Sequence, residues 1–190
     1  MGKSWLVACA VAVALVPVVL TQSSTYGTAT NGVKLRIEIQ SQSGAELWIT
    51  VQNVGDKPLL VPIGNLYGAD QHLLRFQVFL TAPDGRDRRL AYTGGPGAIA
   101  GRLDPLVIPL VPKASYELRI SLALFYDLDT SKTLEALLHS KGRLRVELDV
   151  QKPNCTPYGC PDPSVYGSPK VYPVPCWEGK AVSNLVQLPH

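Results

Sequence analysis

Charge is scarce in this chain. Only 17% of its 190 residues are Asp, Glu, Lys or Arg, and 18 basic residues face 15 acidic ones. The net charge of +3 is too small to attract nucleic acid, and the basic residues mostly alternate with acids, as in Lys34-Arg36-Glu38. Low charge with 46% hydrophobic residues also excludes a disordered chain. Histidine is as sparse: His72, His139 and the terminal His190 are all there is. None lies in a His-Glu-x-x-His run, and no Gly-x-Ser-x-Gly or phosphate-binding glycine loop is present. The sequence therefore offers no catalytic residue, no cofactor site and no metal centre, and it reads as a non-enzyme. Long amphipathic helical repeats are missing too, whereas Gly and Pro number 16 each, which favours short strands joined by turns.

The longest apolar run is at the start. Met1–Trp5 carry one cation, Lys3; Leu6 to Leu20 are uncharged; Thr21, Gln22, Ser23 and Ser24 are small and polar. This is the layout of a secretory signal, assigned to residues 1–24. The run contains Pro17 and is shorter than the ~20 residues a membrane helix needs, so a retained anchor is the lesser reading. Most of the apolar stretch follows Cys9, which is the wrong order for a lipoprotein signal, and Leu6 stands where a myristoylated Gly2 would want Ser or Thr. The expected address is periplasmic or extracellular, with membrane contact only through the signal.

After a flexible segment at 25–32, one domain is expected over 33–190. Period-two alternation runs through Val33–Ile39, Leu47–Val51, Leu74–Leu80, Tyr116–Leu122 and Leu144–Val150. Alternate side chains of a strand face opposite sides, so each segment has one buried and one wet face. Such strands pack as two antiparallel sheets face to face. Shorter strands are expected at Leu59–Pro62, Arg88–Tyr92, Leu106–Val111 and Ala181–Leu188. Turns are marked by Asn53-Val54-Gly55-Asp56, Pro83-Asp84-Gly85 and Gly94-Gly95-Pro96-Gly97. Asp129 or Thr130 followed by Leu134, Leu137, Leu138 and Gly142 predicts one short helix with its stripe on the core. The fold class is thus all-β: an immunoglobulin-like sandwich with a short helix and a long Pro/Cys-rich loop before the last strand.

That loop, 153–176, carries Cys155, Cys160 and Cys176 amid repeated prolines. An oxidising compartment implies one disulfide and one remaining thiol among the three. Cys155–Cys176 would close a loop of about 20 residues, worth roughly 3 kcal/mol; Cys155–Cys160 and Cys160–Cys176 are the alternatives. A Cys160–His72 nucleophilic pair and a zinc site are the weaker readings of the same residues. Asp127-x-Asp129-x-Ser131 opens like a calcium loop, but Lys132 and Leu138 stand where Gly and Glu are required. Arg86, Arg88 and Arg89 read as a solvated hairpin end, with an anion site as the alternative. Asn154-Cys155-Thr156 is a formal glycosylation sequon. The candidate binding residues are Tyr158, Tyr166 and Tyr172 on the loop and Trp177 at its exit, whose amphipathic rings suit a protein or glycan of the cell envelope.

Leu47-Trp48-Ile49-Thr50-Val51-Gln52-Asn53-Val54-Gly55-Asp56-Lys57-Pro58-Leu59 resembles the strand–turn–strand opening of bacterial envelope immunoglobulin-like domains. With the later Asp84-Gly85 hairpin it is also similar to the intracellular proteinase inhibitor family of bacilli. Trp177-x-Gly179-x-x-x-Ser183-Asn184-x-Val186 resembles the last strand of the non-catalytic sandwich beside deuterolysin-like metalloproteases. Together these cover roughly 33–188 and imply a sandwich with a binding or accessory role. The alternatives are a β-sandwich protease inhibitor, acting through Gly94–Arg102 or the Cys-containing loop, and a structural subunit that pairs through sheet edges.

Overall fold

The computed structural model describes residues 25–40, 45–66, 75–93, 104–151 and 174–189. They form an all-β structure of antiparallel strands. β1 (Val33–Gln40) and β2 (Glu46–Asn53) make a hairpin, and β8 (Ser115–Ser121) lies along the other side of β2. β3 (Leu59–Leu66) pairs with β7 (Asp104–Leu110). A larger sheet has the order β12 (Gly179–Val182), β11 (Arg143–Val150), β4 (Phe76–Thr81), β5 (Asp87–Arg89), with β13 (Val186–Gln187) also on β11. A small sheet joins β10 (Lys132–Thr133), β9 (Phe125–Asp127) and β6 (Ala91–Tyr92).

The alternation predicts the buried faces well. Val33, Leu35, Ile37, Leu47, Ile49 and Val51 are at most 1% exposed, and so are Leu144, Val146, Leu148 and Val150. They belong to one cluster with Leu118 and Ile120 of β8, Val61 and Ile63 of β3, and Phe125 of β9. A single apolar core thus draws on all four sheets.

Several boundaries differ from expectation, each for a local reason. The predicted strand Arg88–Tyr92 divides at Leu90: β5 stays on β4, whereas β6 crosses to β9. The predicted strand Ala181–Leu188 also divides. Glu147 faces Val182, but Leu144 faces Val186, so one extra residue is accommodated between them. Ser183 stays attached through its N–H to the Val146 carbonyl at 2.9 Å, and its hydroxyl accepts the Val146 N–H at 2.9 Å.

The helix expected between Asp129 and Gly142 does not form. Lys132 and Thr133 are taken into a hairpin with Tyr126 and Asp127. The next residues make successive turns, with Leu137 N–H on Leu134 O, Leu138 on Glu135 and Ser140 on Leu137. So short a remainder cannot repay helix nucleation. Leu134 and Leu138 still reach the core, as the stripe implies. A 3-10 turn forms at Leu122–Leu124, where the Ser121 hydroxyl accepts the Ala123 N–H.

The start of the described chain is a hairpin. Thr30 and Val33 exchange backbone bonds of 2.9 Å around Asn31 (φ 46°) and Gly32 (φ 82°), a two-residue turn with both φ angles positive.

Candidate functional site

Three places combine unusual chemistry with defined geometry. The first is the frame of the Pro/Cys-rich segment. Val150, at the end of β11, faces Gly179, so the chain leaving β11 and the chain returning to β12 are cross-strand neighbours. Just before that return, Leu60 of β3 clamps the chain: its N–H donates to Pro175 O at 2.9 Å, and its carbonyl accepts Trp177 N–H at 2.7 Å. Cys176 lies half-buried between them, in a parallel bridge with Leu60. Trp177 is 2% exposed, and its indole Nε1–H donates to Thr30 O at 3.1 Å. Asn31 Nδ2 donates to Glu178 O at 2.7 Å. The Asn31-Gly32 hairpin and the returning chain therefore lock each other. Trp177 occupies a core position, not the exposed one expected of a binding ring. Tyr158, Tyr166, Tyr172, Cys155, Cys160, Asn154, His72 and His190 lie outside the described residues, as does the Gly94–Arg102 loop.

The second place is a cavity of about 330 Å³ at the fork where β5 leaves β4 and becomes β6. Phe76, Val78, Leu90, Tyr92, Phe125 and Leu128 form its apolar wall, and Gln77 and Arg89 supply the polar groups. The Tyr92 and Phe125 rings meet tilted at 5.6 Å between centroids. Leu128 is 68% exposed at the mouth. An apolar group with a polar or anionic end is the chemistry this lining accommodates.

The third is a set of ion pairs. Asp127, 1% exposed, accepts Asp129 N–H at 3.1 Å through Oδ1. Its Oδ2 accepts Thr130 Oγ1–H at 2.7 Å and Arg88 Nη1–H at 3.1 Å. Burial pushes this carboxyl's pKa up, but the bonds from Thr130, Asp129 and Arg88 outweigh it, and the net shift is below the ordinary 3.8. The Asp-rich run is therefore the turn of the β9–β10 hairpin, with Ser131 at φ 55°; it is neither a calcium loop nor a helix cap. Arg88 also reaches Asp129 at 3.5 Å, Arg86 lies 3.8 Å from Asp84, and Arg89 lines the cavity. The three arginines point to three destinations, so Arg88 is a structural tie and no joint anion site arises from them.

On the outer face of β11, Arg145 bonds Asp87 and, at 3.3 Å, Glu147, which holds Lys180 at 2.7 Å. Arg145 also stacks over Phe79, 4.5 Å from the ring centroid. The Thr81 hydroxyl, donating at 2.6 Å, and then Arg145 hold the Asp87 carboxyl below its usual range. These charges tie β4, β5, β11 and β12 together. Among the described residues no group of three metal-capable side chains comes together, and His139 is exposed on a turn.

Comparison with family profiles, curated proteins and solved structures finds no match for this chain.

Proposed function

We propose that the protein is an exported, non-catalytic binding or accessory domain of the cell envelope or secretome, built as an immunoglobulin-like sandwich. The order β1-β2-β8 in one sheet and β12-β11-β4-β5 in the other favours the sandwich, since both contribute inward faces to one core. The export reading rests on the tripartite layout of residues 1–24.

One observation carries the binding reading. The frame of the 153–176 segment is fixed on both sides, by the Val150–Gly179 pairing and by the Leu60 clamp with Trp177 beneath it. A rigid scaffold that presents a Pro- and Tyr-rich segment is how binding loops are commonly displayed. We assign the partner-facing rings to Tyr158, Tyr166 and Tyr172, and Trp177 to the anchor. The partner is a protein or glycan of the envelope. The test compares the wild type with the triple Tyr→Ala variant in a pull-down from the host's envelope fraction, leaving Trp177 intact. A partner retained by the wild type and lost by the folded variant supports the assignment; equal retention refutes it.

A further inference from the structure

The sheet β1-β2-β8 treats its two edges differently. Beyond β1, the Asn184 side chain accepts Ile37 N–H at 2.8 Å and donates to Ile37 O at 3.1 Å. One amide thereby stands in for a neighbouring strand. Gly27 N–H takes the Leu35 carbonyl at 2.9 Å, and its Cα lies so close to Val182 that an added Cβ would sit 1.9 Å from the Val182 carbonyl. That edge is sealed. Beyond β8, no strand lies among the described residues, and Ser115, Tyr116, Glu117, Arg119 and Ser121 are exposed.

The ladder fixes which groups face outward. Asn53 N–H bonds Ala114 O, and Leu122 N–H bonds Ala45 O. With the register Val51↔Tyr116, Ile49↔Leu118, Leu47↔Ile120, the even-numbered residues of β8 spend their backbone groups on β2. The N–H and C=O groups of Ser115, Glu117, Arg119 and Ser121 therefore point away from β2, to the open side.

The strand reads Ser-Tyr-Glu-Leu-Arg-Ile-Ser. About Leu118 it is chemically palindromic: Ser115 mirrors Ser121, Tyr116 mirrors Ile120, and Glu117 mirrors Arg119. We propose that β8 is the edge at which a second copy of this chain pairs, antiparallel and two-fold symmetric about Leu118, making one continuous sheet across the dimer. In that register Leu118 meets its own copy at a non-hydrogen-bonded position. Each Glu117 faces the partner's Arg119, and each such pair exchanges two backbone bonds. Opposite charges directly across a ladder attract, whereas a register slipped by two residues sets Glu117 or Arg119 against its own copy. Tyr116, 39% exposed, gains the partner's Ile120 as a cross-strand neighbour. Arg119, held at 3.1 Å by Glu117 and stacked over Trp48 at 4.2 Å to the ring, is already extended on the outer face. The partner is thus a self-complementary strand edge, and the inference stands independently of what the 153–176 segment binds.

The experiment is sedimentation equilibrium on wild type, Glu117→Arg, Arg119→Glu and the double exchange, each produced in the host and purified as the host processes it. Reversible dimerisation of the wild type is expected, with at least tenfold weaker association in either single variant and recovery in the double exchange. Residue-resolved amide exchange supplies a second reading. Glu117 and Arg119 amides should gain protection as concentration rises, while the Leu118 amide is protected throughout. A wild type that stays monomeric at millimolar concentration overturns the proposal. So do singles that associate like the wild type, a double exchange without recovery, and Glu117 and Arg119 amides indifferent to concentration.

Discussion

Asp127 gathers three donors from three residues onto one buried carboxylate: a backbone N–H, a hydroxyl and a guanidinium. Replacing it with Ala leaves Arg88 facing a partly desolvated void, and the loss is expected to be about 3 kcal/mol in urea unfolding. The carboxyl's folded pKa lies below 3.8, so the unfolded chain binds the proton more readily. The stabilisation is whole above that value and declines as pH falls through it towards the folded pKa. Acid titration of the urea midpoint should therefore fall less steeply in Asp127→Asn than in the wild type; an unchanged slope would sink the assignment. Gly32 makes a simpler case. At φ 82°, Gly32→Ala forces a Cβ into the left-handed region, and about 1 kcal/mol of stability should go, seen as a lower thermal midpoint.

At the scale of elements, the strands with one wet and one buried face were legible because their alternation is set by the strand itself. β1, β2, β4, β8 and β11 all lie where period two places them. The Asn31-Gly32 hairpin was legible as well, since that dipeptide is a strong turn signal, yet it falls within a segment read as flexible. What failed depends on distant partners. Residues 132–142 have a helical stripe, but Lys132 and Thr133 are claimed by β9, a pairing no local window reveals. The fork at Leu90 arises because β6 finds β9 more than thirty positions along the chain. The cavity at that fork assembles from three separate stretches and left no sequence mark. Asn184 reads as an interrupted strand residue; its bonds to Ile37 become visible only when the last strands lie beside β1. Asn184→Ala should cost about 1–2 kcal/mol by losing two backbone partners at once, and Ile37 should lose amide protection in hydrogen exchange. Retained protection would mean another group seals that edge.

At the scale of the whole molecule, one core serves every sheet, so the sheets should not melt separately. A single calorimetric transition, with calorimetric and van't Hoff enthalpies equal, is expected; two transitions would contradict the shared core. Trp177 couples this core to the functional reading. Trp177→Ala removes the largest fully buried side chain among the described residues and should cost about 3–5 kcal/mol, with loss of cooperativity before any selective loss of binding. The ring's type was conspicuous in the sequence, but its burial was not, because a Trp beside a Pro-rich stretch looks the same whether it faces a partner or the core. Tyr158, Tyr166 and Tyr172 remain the test of that segment, with Trp177 left in place.

The amide of Asn184 and the close-packed Gly27 together set how far assembly can run. A sheet with one sealed edge can add one copy and then stops, because each new copy brings its own closed side outward. A sheet open on both sides has no such end: every added chain offers another template, and growth becomes a fibre. Changing Asn184 would free only the rung at Ile37, and Gly27 would still hold the Leu35 carbonyl; both must go before a molecule that counts to two stops counting.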